Sequence, residues 1–181
     1  MSNDAQRKSV RQGLAFHNSA QIAVEDAGFE IIERKFIDPE LKIEIDCIAN
    51  NRHGLAFAFE FKGSSQGDLP GLWKTDSVKK AFAIAYYWST TEAGSGMAPM
   101  IVITSHMPTK GAALNMIRRT PREIVLDWLS VGDRDDLKKL TTYAAMTEAD
   151  IKRIIIGGQQ AIEIQKRRNG YYDCLKQPQL L

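Results

Sequence analysis

Apolar residues recur at three- and four-residue steps near the start of the chain. Leu14, Ala20 and Val24 belong to this series. The spacing places them on one face of a helix, which we predict over residues 4–27. Gly28 follows at a position that suits a C-terminal helix cap.

The next two segments have the period of β-strands. A strand is predicted over residues 29–36, and the Asp38-Pro39 pair ends it. Residues 41–49 alternate between apolar and polar positions, which is typical of a strand with one polar face. The expected apolar face contains Leu41, Ile43, Ile45 and Cys47, and the polar face contains Lys42, Glu44 and Asp46.

A second alternating strand follows a short turn. The turn is predicted at residues 50–54 and the strand at residues 55–62. If the hairpin is centred near His53, residues whose numbers sum to 106 stand opposite each other. Asp46 then lies across from Glu60, with both side chains on the same face.

The remainder of the chain alternates between helical and strand-like segments. We predict a helix over residues 77–90 with Thr75 or Asp76 as its N-cap, and a buried strand over residues 99–105. Less regular patterns predict a helix at residues 110–119, a strand at 123–129, and helices from Arg134 onward with an interruption at Gly157-Gly158. The expected class is α/β, with the order αβββαβ through residue 105.

Composition narrows the type of protein. The 181 residues are 44% hydrophobic and carry a net charge of +2, which allows one main core and contact with a polyanion. We expect a main domain over residues 1–133 and a helical appendage over 134–181, packed on the same core. The two cysteines are far apart, no signal peptide is evident, and the apolar run at residues 81–88 is shorter than the ~20 residues of a membrane span. These features predict a cytoplasmic protein without a membrane partner.

A carboxylate two residues before a lysine occurs five times, so the pattern has little weight alone. The five pairs are Glu33-Lys35, Glu40-Lys42, Glu60-Lys62, Asp136-Lys138 and Asp150-Lys152. Only Glu60 and Lys62 lie at the end of an otherwise apolar strand, beside two alanines. Charges placed against a sheet core need compensation.

The facing carboxylates of Asp46 and Glu60 would repel each other. Such a pair is stable only beside a cation, either a bound metal ion or the ammonium of Lys62. Oxygen ligands favour Mg²⁺ or Mn²⁺ over zinc. The structural alternative is a cross-strand ion pair on a solvated sheet face, worth about 0.2–1 kcal/mol.

Asp46, a gap of thirteen residues and Glu60-Phe61-Lys62, set in an αβββαβ order, resemble the PD-(D/E)XK nuclease superfamily. The resemblance covers residues 8–105 and implies a restriction-endonuclease-like fold with a central mixed sheet. It also implies that Asp46, Glu60 and the Phe61 carbonyl bind the metal, while Lys62 positions the attacking water. Ile45 stands where the superfamily name has proline.

Further site residues are predicted from the same resemblance and from their side chains. The superfamily often contributes a residue from the first helix, and the candidates are His17, Gln21 and Glu25. The candidates for nucleic-acid binding are Ser64, Gln66, Trp73, Lys74, Lys79 and Lys80. An ordinary solvated helix start is the alternative for the lysines, and a half-buried helix histidine is the alternative for His17.

The expected function is metal-dependent hydrolysis of phosphodiester bonds, most simply as a DNA endonuclease. DNA is favoured over RNA by resemblance alone. The first alternative is a catalytically silent nuclease-like subunit of a restriction, repair or transposition complex, and the second is an interaction protein that uses the helical tail. A homodimer is expected because two DNA strands need two cuts.

Overall fold

The computed structural model describes residues 3–64 and 71–168. Five strands and six helices lie in these ranges. The strands are β1 (Glu30–Ile37), β2 (Glu44–Asn50), β3 (Ala56–Lys62), β4 (Ala98–Thr104) and β5 (Val125–Ser130). The helices are α1 (Asn3–Asp26), α2 (Thr75–Thr90), α3 (Glu92–Ser95), α4 (Gly111–Arg119), α5 (Arg134–Ala144) and α6 (Glu148–Arg168).

The strands form one mixed sheet in the order β1-β2-β3-β4-β5. The pairs β1–β2 and β2–β3 are antiparallel, whereas β3–β4 and β4–β5 are parallel. The predicted α/β class is therefore confirmed, and so is the element order through β4 apart from the short helix α3. Parallel strands bring the carboxyl ends of β3, β4 and β5 to the same edge of the sheet.

Two apolar clusters cover the two faces of the sheet. One contains Phe16 and Val24 of α1, the three phenylalanines of β3, and residues of α5 and α6 such as Leu140 and Ile151. The other contains Val78 and Trp88 of α2, together with residues of β4 and α4. The C-terminal helices thus complete the same core layer as α1.

The β2–β3 hairpin has the predicted register. Cys47 pairs with Phe59, Ile48 with Ala58 and Ala49 with Phe57, so each pair sums to 106. The alternation and the turn at residues 50–54 were sufficient signals, because the hairpin is local and one of its faces is buried. The register prediction is confirmed over this ladder.

The predicted apolar face of residues 41–49 is wrong. Leu41 and Lys42 precede β2 in a turn, in which Asp38 Oδ1 accepts hydrogen bonds from the backbone N–H groups of Glu40 and Leu41. Within β2, Ile45 packs in the α2 cluster but Cys47 packs in the α1 cluster. The strand therefore changes faces at Asp46.

Strand β1 changes faces at the neighbouring position. Arg34 contacts α1, whereas Phe36 packs against Trp88 of α2 with ring centroids 5.6 Å apart. Between them, Lys35 has a φ of 58°, in the left-handed region that residues other than glycine rarely adopt. Lys35 lies between the paired positions Arg34↔Cys47 and Phe36↔Ile45, so it faces Asp46 across the ladder.

Two details of the helices also differ from the predictions. The N-cap of α2 is Lys74, and no side chain caps it, so neither Thr75 nor Asp76 has the predicted role. Helix α6 continues through Gly157 and Gly158 without interruption. Packing of Ile151, Ile154 and Ile155 against the core stabilises this helix despite the low helix propensity of glycine.

Candidate active site

Asp46 and Glu60 are buried at the end of the β2–β3 hairpin. Their exposed fractions are 7% and 2%. Oδ2 of Asp46 accepts a hydrogen bond from the backbone N–H of Phe61 at 2.7 Å. The ammonium of Lys62 contacts Oε1 of Glu60. The structure therefore brings together the three side chains of the predicted centre.

The backbone hydrogen bond of Asp46 explains how its side chain reaches this position. The β2–β3 ladder ends at the pair Cys47↔Phe59, just before Asp46. Beyond that point the Asp46 carboxylate accepts a hydrogen bond from the backbone of β3. It can thus reach both the α1 side and Glu60.

Glu60 has an unusual electrostatic environment. Burial raises the pKa of its carboxyl, the ammonium of Lys62 lowers it, and the nearby carboxyl of Asp46 raises it, for a net pKa of about 7. Its Oε2 atom is buried and has no hydrogen-bond partner within the described residues. Lys62 thus compensates one oxygen of Glu60 and leaves the other uncompensated.

The first helix contributes His17 to this centre. Nδ1 of His17 lies 3.6 Å from Oδ1 of Asp46, an electrostatic contact that is longer than a hydrogen bond. Its ring meets Phe61 edge-on, with centroids 5.6 Å apart. The other two candidates hold Arg34 instead: Gln21 Oε1 accepts from Nε at 3.1 Å, and Glu25 Oε1 accepts from Nη2 at 3.1 Å.

The centre offers oxygen donors to a divalent cation. Among the residues that the structure describes, no group of three or more His, Cys, Asp or Glu side chains is spaced to hold a metal ion. The unpartnered Oε2 of Glu60 and the adjacent carboxylate of Asp46 are nevertheless hard oxygen donors. Mg²⁺ is usually held by one or two carboxylates and keeps several waters, so these residues fit it.

A pocket of about 450 Å³ opens on the α1 side of this centre. Its lining includes His17 and Gln21 of α1, Arg34 and Lys35 of β1, and Asp46. Two basic side chains therefore stand beside the buried acid, at the point where β1 and β2 change faces. An anionic group that entered the pocket would lie next to Lys35, whereas Arg34 is already paired with Glu25.

Sequence reasoning missed the polar residues at the carboxyl end of β4. The Thr104 hydroxyl donates to the carbonyl of Lys62 at 2.7 Å, and Ser105 Oγ accepts from the backbone N–H of Ser64 at 3.2 Å. Nδ1 of His106 lies 3.0 Å from the same Ser105 Oγ. The available signal was a buried strand followed by Thr-Ser-His, but the parallel pairing of β4 with β3 could not be derived from residue alternation.

The residues predicted to bind nucleic acid differ in their exposure to solvent. Trp73 is 55% exposed, and Lys74, Lys79 and Lys80 are exposed as well. Nζ of Lys79 lies 3.9 Å from Oδ1 of Asp76. Ser64 is 6% exposed, so it is largely covered by protein, and Gln66 lies outside the described residues.

Comparison with known proteins gives no assignment. No protein-family model matches the chain, and no curated protein matches it significantly. The resemblance to PD-(D/E)XK nucleases therefore stays a prediction from residues and element order. None of the described helices combines the length and the apolar composition that a membrane span requires. The function has to be inferred from the chemistry of the centre itself.

Proposed function

We propose that this protein is a Mg²⁺-dependent nuclease with a restriction-endonuclease-like core, and that it hydrolyses phosphodiester bonds in DNA. The observation that carries the proposal is the buried pair Asp46 and Glu60 with Lys62 beside it. The element order from α1 to β4 and the mixed sheet support the same fold.

The charges of the centre favour a bound cation. When Glu60 is ionised, its carboxylate, that of Asp46 and the ammonium of Lys62 leave a net charge of −1 in a site that is largely removed from water. Burial raises the pKa of Glu60 further than the nearby ammonium of Lys62 lowers it, so the ionised form of Glu60 is disfavoured with Lys62 alone beside it. Asp46 and Glu60 would bind the metal, and Mn²⁺ would serve in place of Mg²⁺.

Each residue then has a distinct task in hydrolysis. A bound divalent cation supplies an electrophile that stabilises the negative charge growing on the phosphate. The Lys62 ammonium would orient the attacking water and stabilise its deprotonated form. Asp46 is fixed by the Phe61 N–H, which keeps its other oxygen available on the side of His17.

One observation favours a second candidate, a silent nuclease-like subunit that binds nucleic acid without cutting it. The direct contact between Lys62 and Glu60 already gives the buried carboxylate a cation. A buried carboxylate that is paired in this way can persist for structural reasons alone.

A cleavage assay distinguishes the two. The purified protein is incubated with supercoiled plasmid, linear duplex, branched DNA and RNA, in Mg²⁺ or in EDTA. The matched variants are Lys62→Ala and Lys138→Ala, since Lys138 follows Asp136 in the same sequence pattern but is exposed on α5. The nuclease proposal requires cleavage that depends on Mg²⁺, is lost in Lys62→Ala and is retained in Lys138→Ala. Binding without cleavage in all forms favours the silent subunit.

A homodimer belongs to the same proposal, because cutting both strands of a duplex requires two centres. Light scattering of the protein on a duplex substrate measures the mass directly. A monomeric mass at the assay concentration, together with full cleavage of both strands, contradicts the dimer.

A further inference from the structure

Trp73 differs from the other two tryptophans of the chain. Trp88 and Trp128 are 2% and 6% exposed, whereas Trp73 is 55% exposed. An isolated exposed apolar residue is common, but an exposed indole is a large aromatic surface that readily stacks with other rings. Its position in the fold decides what it can contact.

The backbone on either side of Trp73 is held firmly. Leu72 is completely buried, and its N–H donates to the carbonyl of His106 at 3.2 Å. Lys74 is the N-cap of α2, and its carbonyl accepts hydrogen bonds from the N–H groups of Ser77 and Val78. The indole is therefore presented from a fixed segment between the end of β4 and the start of α2.

This segment lies at the sheet edge that carries the candidate active site. A Cβ atom on Gly71 would lie 2.6 Å from the Thr104 hydroxyl, and this hydroxyl donates to the Lys62 carbonyl at 2.7 Å. Two residues span at most ~7.6 Å between Cα atoms, so the Cα of Trp73 lies within that distance of the Cα of Gly71. A nucleotide close to a phosphate at Lys62 would thus be within reach of the indole.

We propose that Trp73 stacks on an unpaired base, and that the DNA substrate of this protein has a single-stranded segment, such as an end next to a duplex. This inference rests on the proposed nuclease function and specifies its substrate. Paired bases are stacked inside a duplex and do not present their faces, whereas unpaired bases stack on aromatic side chains irrespective of sequence. The exposed ammonium of Lys74 is adjacent and can contact the backbone phosphate.

The burial of Trp88 and Trp128 makes the proposal directly measurable. Because Trp73 is the tryptophan open to solvent, a base that stacks on it should quench the protein's tryptophan fluorescence. The full chain is titrated in EDTA, which prevents metal-dependent cleavage, with the single strand dT20 and with a blunt 20-base-pair duplex. Anisotropy of labelled oligonucleotides reports affinity in the same samples.

Three variants give the required comparison. Trp73→Phe keeps a ring for stacking but removes the fluorescence signal, so the quenching should vanish while the affinity for dT20 changes little. Trp73→Ala should weaken binding of dT20 by about tenfold or more, within the range measured for loss of one stacked base. Tyr87→Ala, at a 53% exposed aromatic residue farther along α2, should bind like the wild type.

The outcomes separate this inference from the nuclease proposal. Quenching by dT20 with weaker binding in Trp73→Ala supports the inference whether or not Mg²⁺ then produces cleavage. Metal-dependent cleavage of a duplex without any effect of Trp73→Ala on binding or cleavage overturns the inference and leaves the nuclease proposal standing. Equal affinity for dT20 and duplex, or no binding of either oligonucleotide, also overturns it.

Discussion

The carboxylate of Asp46 bonds to the backbone N–H of Phe61 at 2.7 Å, where the β2–β3 ladder has already ended. The acid is therefore fixed by the backbone of the neighbouring strand, independently of any ion pair. Its other oxygen lies 3.6 Å from Nδ1 of His17. The same residue thus joins two strands of the sheet and turns one oxygen toward the first helix.

This arrangement predicts different effects of two substitutions at Asp46. The amide oxygen of Asp46→Asn can still accept from Phe61, whereas Asp46→Ala leaves a buried N–H without a partner. We expect Asp46→Ala to lower the free energy of unfolding by about 1–3 kcal/mol more than Asp46→Asn does. Urea unfolding in EDTA measures the difference, and equal losses in both variants contradict the role of the hydrogen bond.

The raised pKa of Glu60 predicts a pH dependence of stability in the absence of metal. The folded pKa of about 7 exceeds the ordinary value of 4.5, so the folded state holds the proton more tightly than the unfolded state. The stability that this raised pKa contributes is therefore fully present below pH 4.5 and is lost as the pH rises toward 7. A pKa shift of this size corresponds to about 3 kcal/mol in the free energy of unfolding.

The control for this prediction is Glu60→Gln, which cannot ionise. Unfolding in EDTA is measured for both proteins at several pH values between 4 and 8. As the pH is raised from 4 to 8, the free energy of unfolding of the wild type should fall relative to that of the variant. The raised pKa is contradicted if the stability of the wild type relative to the variant stays constant or increases as the pH rises.

Much of this centre could be predicted from the sequence because the residue patterns that define it are local. The alternation in β3 and the turn around His53 determine the hairpin register as far as Cys47↔Phe59, and Asp46 and Glu60 are the next residues beyond that pair. The change of faces at Lys35 and Asp46 could not be predicted, because it depends on how both strands pack between two helical layers. His106 was missed for a related reason: parallel pairing joins residues distant in sequence, and it leaves no alternation to detect.

Binding of Mg²⁺ should stabilise the folded protein. If Asp46 and Glu60 hold the ion, a concentration 100 times Kd adds about 2.7 kcal/mol. For a chain of this length that corresponds to a rise in Tm of roughly 5–10 °C. The rise should disappear in Glu60→Gln and persist in Asp76→Asn, which changes an exposed acid of α2. An equal rise in all three proteins places the ion elsewhere.

Asn51 should be one of the most important polar residues for stability. It is 5% exposed, its amide nitrogen donates to the carbonyls of Tyr143 and Met146, and its Oδ1 accepts from the N–H groups of His53 and Leu55. Asn51→Ala leaves several of these groups unpaired and should cost about 3 kcal/mol. The exposed Asn115→Ala on α4 should cost much less in the same urea titration; similar losses contradict this assignment.

The hydroxyl of Thr104 should stabilise the carboxyl edge of the sheet. It is completely buried, donates to the Lys62 carbonyl at 2.7 Å, and lies 3.3 Å from the N–H of His106. Thr104→Val keeps the shape of the side chain but removes these bonds, so we expect a loss of about 1–3 kcal/mol, and Thr104→Ser should recover part of it. Thr142→Val removes a comparable hydroxyl-to-carbonyl bond of 2.9 Å on the exposed surface of α5. Because water replaces that bond, the control should stay within about 0.5 kcal/mol of the wild type, and an equal loss at both positions argues against a special role for Thr104.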